Sequence, residues 1–144
     1  MQKILDLASS KDHYVADACV LWCFDDRFTP LMNDFLKSFG HSDVVKSAGG
    51  AKALAGGASP ERDFVLGQIQ ASIRLHATKE IILMLHMDCG AYGGSKSFGN
   101  DHAKEQAHHE AELAVAREFL AAQIPGVPVR CVIADFDGLY EIKY

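Results

Sequence analysis

Ala18-Cys19-Val20-Leu21-Trp22-Cys23-Phe24 is an unbroken apolar run, and Asp25-Asp26-Arg27 ends it with three consecutive charges. Apolar, β-branched and aromatic residues without polar alternation make up a strand buried on both faces. This stretch therefore predicts a covered, mainly parallel sheet. Working outward from it, Leu31, Met32, Phe35, Leu36 and Phe39 follow Thr29-Pro30 at helical spacing, and Gly40 supplies a stop. Asp43 to Ser47 reads as a short second strand, and the Ala-Gly-rich stretch from Ala48 to Gly57 as a loop whose glycines let backbone approach something closely. Ser59-Pro60 opens a helix running to about Ala77, because serine caps well and proline suits the first helical position. Ile81 to Leu85 is a third buried strand, Asp88 to Gly99 is glycine-rich and irregular, and Asp101 to about Gln123 is helical. Val127 to Asp135 and Gly138 to Tyr144 supply a fourth and a fifth strand. Strands alternating with helices imply right-handed crossovers, hence an α/β fold with a sheet of four to five strands flanked by helices.

The chain has 144 residues, 49% of them apolar and 23% charged, which fits one domain over 1–144 with its own core. A net charge of -5 without a basic cluster argues against nucleic acid as a partner. No apolar stretch approaches the roughly 20 residues that span a bilayer, and Asp6 interrupts the N-terminus where a signal peptide needs apolar residues. The expectation is a cytoplasmic protein without a membrane partner. In that reducing compartment the four cysteines serve as ligands or core rather than as disulfides. Cys19 and Cys131, inside apolar strands without nearby donors, read as core.

Ligands in open parallel sheets bind beyond the carboxyl ends of the strands, where neighbouring crossovers leave to opposite faces. Cys23, Asp25 and Arg27 end the first strand, Ala48-Gly49-Gly50 follow the second, and His86 and Cys89 follow the third, so three segments converge on one rim. Two thiolates and an imidazole suit one zinc ion per chain, and three protein ligands leave one tetrahedral position open for water. Asp25 is read as sharing one side of an extended segment with Cys23, and Arg27 as continuing that row. The guanidinium then grips the carboxylate bidentately, holding it ionised and off the metal. His102, His108 and His109 read as solvent-facing positions on their helix, and His13, His41 and His76 have no readable partner.

Cys23-Phe24-Asp25-Asp26-Arg27, Ala48-Gly49-Gly50 and His86-Met87-Asp88-Cys89-Gly90 resemble, in order, the C-x-D-x-R, A-G-G and H-x-x-C-G motifs of the β-class carbonic anhydrases, and Gly138-Leu139-Tyr140-Glu141 is similar to that family's closing strand. The resemblance implies reversible hydration of carbon dioxide to bicarbonate by zinc-bound hydroxide. It assigns Cys23, His86 and Cys89 as ligands, Asp25 and Arg27 as the catalytic dyad, and Ala48, Gly49, Gly50 and Gly90 as substrate-loop residues. It also implies a homodimer or higher homo-oligomer. Lys46-Ser47 stand where the family tends to have Arg-Asn. The same scaffold supports hydrolysis of carbon disulfide or carbonyl sulfide, and a reading of another class is a non-catalytic zinc protein in which Asp25 closes the metal site.

Overall fold

The apolar run around Leu21 forms β1 (Ala18–Cys23), and every residue of it is buried. The other strands are β2 (Ser42–Ser47), β3 (Glu80–His86), β4 (Val129–Asp135) and β5 (Gly138–Ile142). The computed structural model describes all of residues 1–144. One sheet has the order β2-β1-β3-β4-β5; the first four strands are parallel and β5 returns antiparallel to β4 through a tight turn.

The helices cover both faces, as the continuous apolar strands require. α1 (Thr29–Leu36) lies on one side, where Met32 and the preceding Phe28 pack on Val20, Trp22, Ile82 and Met84. α2 (Lys52–Ala55), α3 (Pro60–His76) and α4 (His102–Gln123) lie on the other. There Leu54, Val65, Ile69, Leu113 and Leu120 pack on Cys19, Leu21, Leu83 and Ile133. The two long helices begin as sequence predicts for good caps: Ser59 Oγ accepts from the Arg62 N–H at 3.1 Å, and Asp101 Oδ1 from the Lys104 N–H at 3.1 Å. The Ala48 to Gly57 stretch is not all loop, since α2 occupies four of its residues. No helix is long and apolar enough to cross a membrane.

One departure from regular pairing positions everything that follows. β1 and β3 pair from Ala18–Glu80 to Leu21–Leu83 and then part. Into the opening comes the turn after β2: the Ala51 N–H donates to the Met84 carbonyl at 3.2 Å, taking an acceptor that faces β1. Gly50 sits at the tip with φ +57°, and a Cβ there would lie 2.4 Å from the Met84 carbonyl oxygen and 3.1 Å from the Cys23 nitrogen. Only glycine fits so close an approach in this conformation. The crevice between β1 and β3 is where the crossovers leaving those two strands, α1 and α4, go to opposite faces, the place at which parallel sheets bind ligands.

Candidate metal centre

Cys23 closes β1, His86 is the last residue of β3, and Cys89 follows after two further residues. His86 was expected just beyond its strand; the ladder to β4 extends to it, through His86–Ala134. The two Sγ atoms and an imidazole nitrogen lie within 4.8 Å of one another, and all three residues are buried. His86 Nδ1 lies 2.9 Å from the Met87 carbonyl oxygen, which fixes it as the protonated nitrogen and leaves Nε2 as the acceptor. Nε2 is buried with no hydrogen-bond partner. A buried polar atom costs free energy unless something satisfies it, and a cation at the centre of this triangle would satisfy Nε2 and both sulfurs together.

The electrostatics agree. The neighbouring Cys89 thiol stabilises a thiolate at Cys23, so the first proton leaves well below the usual thiol range. That charge, with burial, holds the Cys89 proton far above it. Burial opposes charge on His86, but the Cys23 thiolate and the Met87 carbonyl outweigh it and raise its pKa. The pair thus gives up one proton readily and the second only to a strong positive charge, such as a divalent cation that displaces it.

Asp25 and Arg27 meet as predicted, though by other means. The strand stops at Cys23, and Asp26–Phe28 form a 3-10 turn capped by Asp25, whose Oδ1 accepts from the Arg27 N–H at 3.1 Å. The expected extended row does not exist; a turn wound back on its own cap brings carboxylate and guanidinium together. Arg27 Nε donates to Asp25 Oδ1 at 3.0 Å and Nη2 to Oδ2 at 2.7 Å. This grip lowers the Asp25 pKa to about 2. Asp25 Oδ2 stands 4.0 Å from His86 Nε2.

Sequence reasoning missed a third member. Arg27 Nη1 donates to Asp88 Oδ2 at 2.8 Å and Nη2 to the Asp88 carbonyl at 3.0 Å, so the guanidinium bridges two carboxylates. The available signal was the acid between His86 and Cys89, which must face whatever surrounds the pair. Arg27 also lies over the Phe136 ring, 5.3 Å from its centroid.

A cavity of about 420 Å³ beside the triangle is lined by Cys23, Phe24, Asp25, Asp26, Ala48, Gly49, Gly90 and Ala91. Three of the four substrate-loop candidates, Ala48, Gly49 and Gly90, therefore line it. Gly50 does not; it is the wedge behind Cys23. Of the helix histidines, His102 faces solvent and bonds Asp135 at 2.6 Å, whereas His109 is 0% exposed, contrary to the solvent-facing expectation. His76 has a partner in Asp43, at 2.7 Å. Cys19 and Cys131 are buried in the core as expected.

Residues 14–135 match a family model described as "Putative carbonic anhydrase". An uncharacterized protein of Rickettsia conorii is 26% identical over 157 aligned positions, spanning 99% of this chain and 82% of its own. Among solved structures, the carbonic anhydrase of Streptococcus mutans has a TM-score of 0.64 at 19% identity, covering 94% of this chain and 88% of its own. β-Carbonic anhydrase isoform I of Trichomonas vaginalis has a TM-score of 0.63 at 18% identity, covering 95% and 87%. A carbon disulfide hydrolase in its apo form follows with a TM-score of 0.58 at 14% identity, covering 89% and 79%.

Proposed function

Because the chain belongs to the carbonic anhydrase family whose model it matches over residues 14–135, we propose that it is a β-class zinc enzyme interconverting carbon dioxide and bicarbonate. The observation that carries this reading is the buried His86 imidazole, its Nε2 without a hydrogen-bond partner and one ring nitrogen within 4.8 Å of two cysteine sulfurs. Cys23, His86 and Cys89 are the zinc ligands in this reading. Zinc held by three ligands supplies a Lewis acid able to bring the pKa of a water near 7.

The remaining work falls to side chains. Asp25 is ionised at neutral pH, so its carboxylate can only accept a hydrogen bond. It accepts a hydrogen bond from the reacting water or hydroxide, turning an oxygen lone pair towards the carbon of carbon dioxide. Arg27 keeps the carboxylate ionised and holds it away from the ligand triangle. Phe24, Ala48 and Ala91 give the cavity an apolar wall suited to a small gas, and its volume of about 420 Å³ admits one such molecule with water. In the hydration direction water and carbon dioxide give bicarbonate and one proton, which passes to buffer.

A carbon disulfide or carbonyl sulfide hydrolase is the second reading, supported by the shared fold of the solved carbon disulfide hydrolase. A closed, non-catalytic zinc site is disfavoured because Arg27 competes for Asp25. The active assembly is a homodimer or larger: Phe24 and Phe136, 63% and 64% exposed, flank the Asp25–Arg27 pair as an apolar rim that a second subunit would cover.

Metal analysis and stopped-flow hydration of carbon dioxide on one sample test the proposal, with carbon disulfide and carbonyl sulfide as alternative substrates. About one zinc per chain with carbon dioxide hydration is expected, and Cys89→Ser should lose both. Unchanged zinc content and affinity in Cys89→Ser would remove the ligand set. Zinc with turnover of only the sulfur substrates would select the second reading.

A further inference from the structure

Asp88 stands between two of the proposed ligands, His86 and Cys89, and its backbone is left-handed, with φ +54°. A residue with a Cβ stays there only when its surroundings fix it. Three of those surroundings are Arg27 on Oδ2, Arg27 on the carbonyl, and the Ser95 N–H, which donates to Oδ1 at 2.9 Å. The fourth comes from below. Glu105, in the first turn of α4, is 1% exposed, and its Oε1 accepts from the Asp88 N–H at 2.7 Å. Its Oε2 accepts from Ser95 Oγ at 2.6 Å. A carboxylate so deeply buried is retained only where both oxygens are satisfied, and here both are satisfied by the loop that carries Cys89. The aromatic rings of Tyr92 and Phe98 pack against His109, one helical turn on, and close the space around this contact.

We infer that Glu105 is a positioning residue for the metal centre, pinning the backbone of Asp88 so that Cys89 faces Cys23 and the Asp88 carboxylate faces Arg27. The chain of contacts is continuous: Glu105 to Asp88, Asp88 to Arg27, Arg27 to Asp25. Glu105 makes no hydrogen bond to the ligands and does not line the cavity, so its hydrogen bonds act on the centre through these neighbours. The role demands two acceptors, or one acceptor and one donor, at fixed spacing. Glutamine meets it, because its carbonyl can take the Asp88 N–H while its amide donates to Ser95 Oγ, with the hydroxyl reversing its part. Leucine, one bond shorter and apolar, offers no acceptor and leaves the Asp88 N–H without a partner.

This inference rests on the metal-binding reading and is tested with cobalt(II), whose visible spectrum reports ligand geometry. Metal-free wild type, Glu105→Gln, Glu105→Leu and Ser95→Ala are titrated against a competing chelator, with thermal melts of each metal-free protein alongside. Glu105→Leu should bind cobalt about 10–100-fold more weakly, the usual effect of losing a partner behind a metal ligand, with altered visible bands. Glu105→Gln should stay within about threefold of wild type and keep its spectrum, the tolerance being small beside the loss expected for leucine. Should Glu105→Leu fail to fold, Ser95→Ala carries the test with a smaller weakening and a shifted spectrum. Wild-type affinity and spectrum in Glu105→Leu or, failing that, in Ser95→Ala would overturn the inference while leaving the metal centre intact. So would a loss in Glu105→Gln equal to that of Glu105→Leu. Failure of wild type itself to bind cobalt would overturn the metal reading and this inference with it.

Discussion

Gly50→Ala and Gly67→Ala make the same chemical change and should move stability in opposite directions. At Gly50 the backbone has φ +57°, where an alanine costs about 1–2 kcal/mol. Its methyl would also lie 2.4 Å from the Met84 carbonyl oxygen, and forcing backbone to yield to an added methyl costs about 1–3 kcal/mol more. The smaller conformational freedom of unfolded alanine returns roughly 0.5 kcal/mol. The net loss is about 2–4 kcal/mol, or a melting temperature lower by roughly 5–15 °C for a domain of this size. Gly67 lies inside α3, and a Cβ there meets nothing within 4 Å. Alanine at that position should stabilise by about 0.5–1 kcal/mol. Urea denaturation of the metal-free proteins measures both, and chelator competition adds a second readout: Gly50→Ala pushes on the Cys23 backbone and should weaken metal binding, while Gly67→Ala should not. A Gly50→Ala protein within about 1 kcal/mol of wild type, a margin below the strain expected in the left-handed region alone, with unchanged metal affinity would refute the argument that this turn sets the position of Cys23.

Arg27→Ala should keep its metal but lose roughly 10–100-fold in hydration, because the released Asp25 competes for the open position; residual activity should move to higher pH, and a wild-type pH profile would show that the guanidinium is only structural. His109 should make the fold acid-sensitive: burial lowers its pKa to about 4, so it binds a proton more readily unfolded than folded. Its contribution is complete above about 6.5 and falls away as pH drops towards 4, by up to about 3 kcal/mol; denaturant unfolding of His109→Phe from pH 7 to 4.5 should show a flatter dependence than wild type. Sedimentation velocity at micromolar concentration should show a dimer or larger species, and a fully active 15.7 kDa monomer would remove the assembly proposal.

The sheet was readable because its evidence is local and redundant. The unbroken run from Ala18 to Cys23 tells of burial on both faces, and Ser59-Pro60 marks a helix start whose capping bond the structure contains. Cys23, His86 and Cys89 could be gathered because parallel strands aim their ends at one rim. The geometry between Asp25 and Arg27 was misjudged, since a strand pattern ending at Cys23 does not reveal the 3-10 turn that begins at Asp26. α2 was missed because four residues, Lys52 to Ala55, carry no period. Glu105 and His109 were illegible for a deeper reason. On a helix where most neighbours are polar and exposed, residue type gives no sign that two of its titratable side chains point inward beneath the loop of Cys89.

The parting of β1 and β3 beyond Leu21 and Leu83 has a bearing on which ions the site would prefer. Were the two strands paired to their ends, the distance between Cys23 and His86 would be fixed by the sheet's own interstrand spacing, common to every such fold. Here the backbone of Gly50 stands between them as a spacer one peptide thick. In the metal-binding reading, ionic radius would therefore be discriminated by a turn rather than by a ladder. Residues that never touch the ion can tune it: thickening the turn at Gly50 should shift preference from zinc towards the larger, equally sulfur-loving cadmium.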